Sequence, residues 1–226
     1  MSNKICGDSS KVELQVSQPV DSGSIPTSPL PIKTKEIIVS SCTIKDIKSF
    51  IETNHYSHNV NGVKIKYCFK VEHQQKIIGG VIFGAMSTTA WKKFANQEKN
   101  VLELRRFVLI DEAPKNSESR VIGFCIRTIK KIDKDVNVIV SYADPYHNHQ
   151  GTIYKASNFK YLGTSGKDNG FLDTETNKIY HSRALRTKYK GDYKPFVKKL
   201  RDKLEKGILV PFVIPPKHCF IYKFKN

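Results

Sequence analysis

The densest group of chemically competent side chains lies between residues 141 and 154. The sequence there reads Ser-Tyr-Ala-Asp-Pro-Tyr-His-Asn-His-Gln-Gly-Thr-Ile-Tyr. Asp144 follows an apolar run that predicts a buried strand, so its carboxylate is expected at the carboxyl edge of a sheet, where open α/β proteins place their sites. His147 and His149 are two positions apart, which does not fit a helical His-x₃-His zinc site. Taken singly, each residue also has an ordinary explanation, such as a turn at Asp-Pro.

A second histidine-rich segment, from Asn54 to His58, follows the first predicted helix. Imidazole, carboxylate and phenol groups form a nitrogen and oxygen donor set, which suits iron better than metals that prefer thiolates. A histidine at a helix end can equally serve as a partner of the helix dipole. The two segments together indicate a polar site if the fold brings them into contact.

A loop of small and capping residues, Ala113 to Ser119, joins a predicted strand to a predicted helix. Unpaired N–H groups at a helix start attract anions, and Lys115 and Arg120 add positive charge. The alternative is an ordinary helix cap formed by Asn116 or Ser117. The sequence carries neither a GxGxxG fingerprint nor a P-loop, so neither nucleotide motif is predicted.

The charge of the chain points to a polyanionic partner. The 226 residues carry a formal net charge of +17, and the segment from Arg183 to Asn226 holds 13 basic and three acidic residues. Cations interleaved with aromatic rings are typical of nucleic-acid-binding surfaces. A lysine-rich solvated surface is the alternative. The predicted DNA-binding residues lie on one basic helix: Lys194, Lys198, Lys199, Arg201 and Lys203.

Several protein classes are excluded by composition. Five scattered cysteines without a CxxC pair do not form a secreted disulfide framework. No window reaches the roughly 20 apolar residues of a membrane span, and the first residues lack a signal-peptide core. Residues 1–33 are neutral and rich in Ser and Pro, which predicts a disordered tail. We therefore expect an intracellular protein with one folded domain over residues 34–226.

Hydrophobic periodicity predicts an α/β or α+β fold with one central mixed sheet. Helices are predicted at Thr43–Glu52, Ser117–Ile132, Gly151–Asn158 and Tyr193–Lys206. Strands are predicted at Ile65–Glu72, Lys76–Phe83, Val101–Ile110, Val136–Tyr142, Lys160–Gly163, Ile208–Ile214 and Cys219–Phe224. In this arrangement both histidine-rich segments and the anion-binding loop are attached to the same sheet.

Ordered blocks of residues span roughly positions 50–165: His55-Tyr56-Ser57, Glu103-Leu104-Arg105-Arg106-Phe107 with Asp111, Ala113 to Arg120, Ser141 to Pro145, His149, Gly151, Ile153-Tyr154, Ala156 to Phe159, and Tyr161-Leu162-Gly163. In this order, the blocks resemble the phage Mom family of DNA adenine-modifying proteins. A weaker similarity to the family follows at Lys217-His218. Asn148 replaces the glycine usual in the family, and asparagine tolerates the left-handed backbone that a glycine there would adopt.

The resemblance implies a GNAT-like acyltransferase fold, an acetyl-CoA site, bound iron and action on double-stranded DNA in the bacterial host cytoplasm, with no membrane partner. The implied reaction converts adenine to N6-carbamoylmethyladenine, which protects phage DNA from host restriction. The implied catalytic residues are Tyr56, Arg106, Asp144 and Tyr154, and the hypothetical iron ligands are His55, Tyr56, Asp144 and His149. The implied cofactor-binding residues are Phe107, Val108, Lys115, Asn116, Ser117, Ser119 and Arg120.

Two other functions fit parts of the same sequence. A GNAT-type N-acetyltransferase of a protein or small amine would share the coenzyme A loop but would need neither metal nor the basic C-terminal segment. A non-catalytic DNA-binding protein would use the basic segment, and its Tyr, His and Asp cluster would be structural. Analysis of DNA nucleosides and of acetyl-CoA binding separates these functions.

Overall fold

A computed structural model describes residues 32–62, 64–86 and 89–224 of the chain. The predicted disordered tail over residues 1–33 lies almost entirely outside these ranges and stays a prediction. The helices are α1 (Ile44–Asn54), α2 (Ser117–Ile132), α3 (Thr152–Ala156) and α4 (Pro195–Glu205). The strands are β1 (Ile38–Cys42), β2 (Ile65–His73), β3 (Lys76–Gly84), β4 (Val101–Leu109), β5 (Val138–Ala143), β6 (Lys160–Thr164), β7 (Asp168–Asp173), β8 (Ile179–His181), β9 (Lys188–Tyr189), β10 (Asp192–Tyr193), β11 (Leu209–Ile214) and β12 (His218–Lys223).

The central sheet has seven strands in the order β1-β2-β3-β4-β5-β12-β6. All neighbouring pairs are antiparallel except β4 and β5, which are parallel. Helix α2 provides the crossover connection that a parallel pair requires. The mixed central sheet with flanking helices confirms the predicted fold class, and all four predicted helices are present within a few residues of their predicted bounds.

Helices α1 and α2 are amphipathic, and each buries one stripe on the sheet. Val121, Ile122 and Ile129 of α2 are almost fully buried beside Phe69 and Phe83 of the sheet. Burying each large aliphatic side chain contributes about 1.5–3 kcal/mol relative to leaving it exposed. The core of the sheet therefore holds β4, β5 and α2, the elements next to the polar segments, in fixed positions.

Helix α1 packs in a separate cluster and begins at a capping box formed by Thr43 and Asp46. Ile47 and Ile51 are fully buried against Cys68 and Ile82. The carboxylate of Asp46 accepts hydrogen bonds from the N–H group of Thr43 at 2.7 Å and from its hydroxyl at 2.8 Å. This cap fixes the start of the helix, and packing fixes its direction toward His55.

A small three-stranded sheet in the order β11-β7-β8 packs beside α4. Its apolar contact is formed by Leu185, Leu200 and Leu209, all buried. Strand β1 and strands β7 to β10 were not predicted from the sequence. Among the described residues, no helix is long and apolar enough to span a bilayer.

Candidate functional site

The two parallel strands separate and leave a cavity between them. β4 pairs with β5 only from Val101 to Leu104, although β4 continues to Leu109. A cavity of about 250 Å³ opens at this divergence. Six of the predicted site residues line it: His55, Tyr56, Phe107, Asp144, His149 and Tyr154. The structure thus brings the two histidine-rich segments together, as the sequence analysis required for a polar site.

The separation also leaves the second half of β4 without β5 as a pairing strand on the cavity side. Ile110 N–H donates to Ile78 O at 2.9 Å, which fixes this pair as a hydrogen-bonded pair of the β3–β4 ladder. Bonding alternates along an antiparallel ladder, so the peptide groups of Phe107 and Leu109 point away from β3 and toward the divergence. An extended ligand could therefore hydrogen-bond to β4 there.

The loop after β5 is built from two left-handed residues. Asn148 has φ 59° and Gly151 has φ 72°. The structure therefore confirms that asparagine supports the turn at position 148. A Cβ on Gly151 would lie 2.2 Å from the Phe220 ring, so this position needs glycine for space as well as for backbone conformation. The turn directs the polar loop back across the end of the sheet.

His55 follows α1 and is only 6% exposed. Its Nδ1 accepts the N–H group of Ser57 at 3.1 Å, and Ser57 Oγ lies 2.9 Å from the same nitrogen. Because Nδ1 is an acceptor, the neutral ring carries its proton on Nε2. Burial, with Arg106 and neighbouring histidines, lowers the pKa of His55 to about 4. His55 is therefore a neutral hydrogen-bond donor at neutral pH.

Tyr56 lies among three imidazole rings. Its ring centroid is 4.3 Å from those of His55 and His147, and 5.2 Å from that of His149. The ring planes are tilted by 30°, 35° and 44° to the Tyr56 ring, so the four rings form an aromatic cluster with apolar faces and polar edges. Tyr56 thus joins the two histidine-rich segments physically.

Asp144 is held in position by two partners. Its Oδ1 accepts the N–H group of Tyr146 at 3.1 Å, and its Oδ2 forms an ion pair with Lys217 Nζ at 2.6 Å. Asp144 is 9% exposed, so Lys217 compensates a largely buried carboxylate. Lys217 lies just before β12. In the sequence, only the weak similarity to the family at Lys217-His218 indicated this residue. No local pattern connects it to Asp144.

The buried phenol of Tyr154 and the half-buried phenol of Tyr142 complete the lining of the cavity. Burial raises the pKa of Tyr154 on α3 and of Tyr142 at the end of β5, so both stay protonated at neutral pH. Burial also raises the pKa of Glu103, which is paired with Arg105 at 2.7 Å. Protonated phenols can donate hydrogen bonds to a ligand oxygen or nitrogen.

Arg106 and Val108, two predicted site residues on β4, do not line this cavity. The Arg106 side chain lies outside the cavity lining, where its Nε donates to Asn59 O at 3.1 Å and its Nη1 to Arg105 O at 2.7 Å. Val108 packs on the other sheet face against the α1 cluster. Strand alternation explains both positions, because Phe107 between them faces the cavity. Arg106 still affects the site electrostatically, since its charge lowers the pKa of His55.

The predicted anion-binding loop ends in an open helix start. Asn116 caps α2 with φ 69° and makes no side-chain capping bond, so the ordinary cap considered above is absent. Among the described residues, the N–H groups of Glu118 and Ser119 have no backbone acceptor. Ser117 is buried and Lys115 is exposed. The open start therefore offers donors to an anion.

A second cavity of about 430 Å³ lies against this helix start. Asn116, Ser119 and Arg120 line it, and Arg120 Nη1 donates to Thr34 O at 2.8 Å. Residues 152–154 of α3 line the first cavity and residues 156–158 line the second. An elongated ligand lying along α3 would thus reach from the polar cavity to the open start of α2.

The described residues do not fit the predicted iron site. No three His, Cys, Asp or Glu side chains in the described ranges are grouped to hold a metal ion. Both oxygens of Asp144 are engaged by Tyr146 and Lys217. The free nitrogen of His55 carries the ring proton, because Ser57 donates to the other nitrogen. A metal at His55 and Asp144 would therefore require both sets of partners to be rearranged.

The basic segment is partly neutralised within the protein. Lys198 pairs with Asp192 at 2.7 Å, and Lys203 pairs with the buried Asp173 and with Glu175, each at 2.8 Å. Arg201 packs over the Tyr193 ring. Three of the five predicted DNA-binding side chains therefore have structural partners, and in the described chain Lys194 and Lys199 form no ion pair.

Comparison with known proteins finds a curated relative from a bacteriophage. Over 135 residues the chain is 29% identical to the methylcarbamoylase Mom of Escherichia phage Mu, covering 58% of this chain and 55% of the relative. The chain thus spans about half the length of this curated relative.

Solved structures that are similar to this chain include acetyltransferases, with low sequence identity. A Bacillus subtilis acetyltransferase in complex with coenzyme A has 10% identity and a TM-score of 0.46, covering 84% of this chain and 99% of its own. An N-acetyltransferase from Staphylococcus aureus Mu50 has 13% identity at the same TM-score and the same coverage.

A family model matches most of the chain, including the site. The model of the Mom protein family matches residues 36–226, which include the whole central sheet, the cavity at the divergence of β4 and β5, and Lys217. The chain therefore belongs to the Mom protein family.

Proposed function

We propose that the protein modifies adenine in DNA to N6-carbamoylmethyladenine, uses an acetyl-CoA-type thioester, and thereby protects phage DNA from host restriction. Membership of the Mom family and the name of the phage Mu relative support the reaction class. The observation that carries the proposal is the convergence of six predicted residues, from four separate segments, on the cavity between β4 and β5.

The path for the thioester runs along β4 and α3. The peptide groups of Phe107 and Leu109 would hydrogen-bond to an extended amide-containing arm. The open start of α2, with Arg120, would bind the phosphates at the far end, since unpaired N–H groups and the helix dipole favour anions. This arrangement directs the acyl end toward the polar cavity.

The base would enter the same cavity from the DNA side. Adenine N6 is paired in a duplex, so an enzyme must extrude the base and hold it against flat side chains. The aromatic cluster around Tyr56 and the phenols of Tyr142 and Tyr154 offer such surfaces. Each oxygen of Asp144 keeps a second lone pair beside its bond to Tyr146 or Lys217, and such a lone pair would accept a hydrogen bond from the N6 amine. His55 Nε2–H would donate to an acyl oxygen.

The product requires more than general base catalysis. A carbamoylmethyl group is joined to N6 through carbon, so an acetyl donor would have to react at its methyl carbon, which is a two-electron oxidation. Its thioester carbon would also have to release the coenzyme A thiol and take up an ammonia-level nitrogen to become the amide. The side chains of the cavity account for binding and orientation of the two reactants. These side chains supply no electron acceptor. The family resemblance implies iron for that task, but the described residues, as arranged here, offer no fitting set of iron ligands.

Mass spectrometry of nucleosides tests the proposal. DNA from bacteria that express the protein should contain a deoxyadenosine heavier by a carbamoylmethyl group. DNA from bacteria expressing Asp144→Asn at the same level should lack it, because the substituted side chain loses its charge and its ion pair. Unmodified nucleosides together with acetylated amines in the wild-type cells would instead support the N-acetyltransferase function.

A further inference from the structure

A short hairpin in the basic segment presents an aromatic ring at its tip. β9 and β10 pair antiparallel and are joined by Lys190 and Gly191, which have φ 50° and 85°. Two consecutive left-handed residues form the mirror-image turn that closes two-residue hairpins. We call residues 188–193 the basic hairpin. Its turn is the shortest that such a hairpin allows, so its tip is well defined.

Contacts with α4 fix the base of the basic hairpin. The Tyr193 ring lies 4.9 Å from Lys188 Nζ and 4.6 Å from the Arg201 guanidinium, and the Tyr193 hydroxyl accepts from Arg201 Nη1 at 3.3 Å. Asp192 forms the ion pair with Lys198. Two of the predicted DNA-binding residues thus hold the hairpin in place and do not themselves extend freely into solvent.

The tip is exposed and lies in a stretch of the chain with an excess of basic residues. Tyr189 is 65% exposed, and Lys190 Nζ lies 5.7 Å from its ring centroid. Residues 182–201 include eight basic residues and one acidic residue, Asp192, which is already paired. An exposed ring within an excess of cations matches a ligand that supplies both negative charge and flat apolar faces.

We propose that the basic hairpin contacts a nucleic-acid strand, with Tyr189 stacking on an unstacked base while Lys188, Lys190 and Lys194 neutralise phosphates. That the strand is DNA rests on the proposed function. The contact is assigned to the basic hairpin, whereas the sequence analysis had assigned it to the basic helix alone. A base presents its face to a side chain only where it has left the stack. The hairpin should therefore favour single-stranded or gapped DNA over an intact duplex.

Fluorescence anisotropy of labelled oligonucleotides tests the assignment with the full-length protein. Tyr189→Ala should weaken binding to a single strand about 5-fold or more, the loss expected for one stacked base, and should leave the salt dependence unchanged. Tyr189→Phe should retain most of the affinity. The double variant Lys188→Ala/Lys190→Ala should reduce the salt slope by roughly 1.4, because two phosphate contacts are lost.

Ile38→Ala provides a control, since Ile38 is a 61% exposed apolar residue on β1, an edge strand of the central sheet and not part of the basic segment. It should bind as the wild type does. Wild-type affinity in Tyr189→Ala, with DNA still bound, would overturn the hairpin assignment and leave the proposed function standing. Binding of polyglutamate as tight as binding of DNA would show a general polyanion surface and overturn the stacking role. Failure of the wild type to bind any DNA would contradict both proposals.

Discussion

At the scale of single residues, the site depends on one neutral histidine. Ser57 fixes the ring of His55 so that Nε2–H is its only donor, and burial keeps the ring neutral. A protonated imidazole at this position would stand near Arg106 and the other histidines. The same environment that makes His55 a donor therefore makes it a source of instability in acid.

The first prediction concerns this acid sensitivity. In the unfolded chain His55 has its usual pKa of 6.5, whereas in the folded protein the pKa is about 4. The unfolded state thus binds more protons between these values, and the contribution of His55 to stability is lost as pH falls through that window. It should amount to about 2 kcal/mol between pH 7.5 and pH 5.

Urea denaturation at both pH values measures this loss. His55→Gln should unfold with a smaller difference between pH 7.5 and pH 5 than the wild type does. An equal difference in the two proteins would mean that other groups cause the acid sensitivity.

The second prediction concerns Lys217. Replacing it by Met leaves the largely buried Asp144 without its ion-pair partner, and loss of one partner of such a pair typically costs about 2 kcal/mol or more. Lys217→Met should therefore lower adenine modification about 10-fold or more, and Lys217→Arg should retain a larger part of it. Nucleoside mass spectrometry measures both. Full modification by Lys217→Met would show that the ion pair does not position Asp144.

The sequence could place some of these residues and not others. Tyr56, Asp144 and Tyr154 stood out because they lie in blocks that resemble the family, and the structure brings them to one cavity. The contact between Asp144 and Lys217 joins two loops distant in sequence. It depends on the antiparallel pairing of β12 with β5, which no local pattern reveals.

At the scale of elements, the loop after β5 must pass close to β12. Gly151→Ala would combine left-handed backbone strain with a Cβ placed 2.2 Å from the Phe220 ring. Gly207 has nearly the same φ, 71°, and nothing within 4 Å of its Cβ position, so Gly207→Ala isolates the backbone term. We expect a loss of about 1 kcal/mol for Gly207→Ala and at least about 1 kcal/mol more for Gly151→Ala.

Thermal and chemical unfolding of the two variants test this element. Equal losses in both would mean that the loop moves away from Phe220 without cost, and that the tight approach does not define the cavity.

At the open start of α2, one substitution should raise the stability of the protein and weaken its binding of coenzyme A. Ser119→Asp places a carboxylate in the first helical turn, which should stabilise the helix by about 0.5 kcal/mol through the dipole. The same charge should repel the phosphates of coenzyme A and weaken its binding several-fold. Ser119→Ala removes the hydroxyl without adding charge and serves as the control. Calorimetric titration with acetyl-CoA that shows unchanged affinity in Ser119→Asp would place the phosphates elsewhere.

Elements with strong periodicity were predictable, and polar strands were not. Helix α2 was predicted with its observed bounds because its apolar residues recur on one face and small residues precede it. Strand β7, with the sequence Asp-Asn-Gly-Phe-Leu-Asp, has no alternating pattern, and it forms because β11 and β8 pair with its two edges. Tertiary pairing therefore determined the strands that the sequence left unassigned.

At the scale of the whole molecule, the cavity is assembled from distant parts of the chain. Its walls come from the segment after α1, the diverging part of β4, the loop after β5 and α3, and Lys217, just before β12, pairs with Asp144 in that lining. The site can therefore exist only when the central sheet is complete. The basic segment contributes differently, since Lys198 and Arg201 hold α4 to the basic hairpin and Lys203 holds α4 to β7.

The central claim is that one cavity brings a thioester and an extruded adenine together. Extracts containing the protein would be supplied with DNA and with acetyl-CoA labelled with carbon-13 at both acetyl carbons, and the DNA nucleosides would be analysed by mass spectrometry. We predict a modified deoxyadenosine that carries both labelled carbons, and none in an extract containing Asp144→Asn. A modified deoxyadenosine free of label, or labelled acetyl groups on protein with unmodified DNA, would contradict the claim.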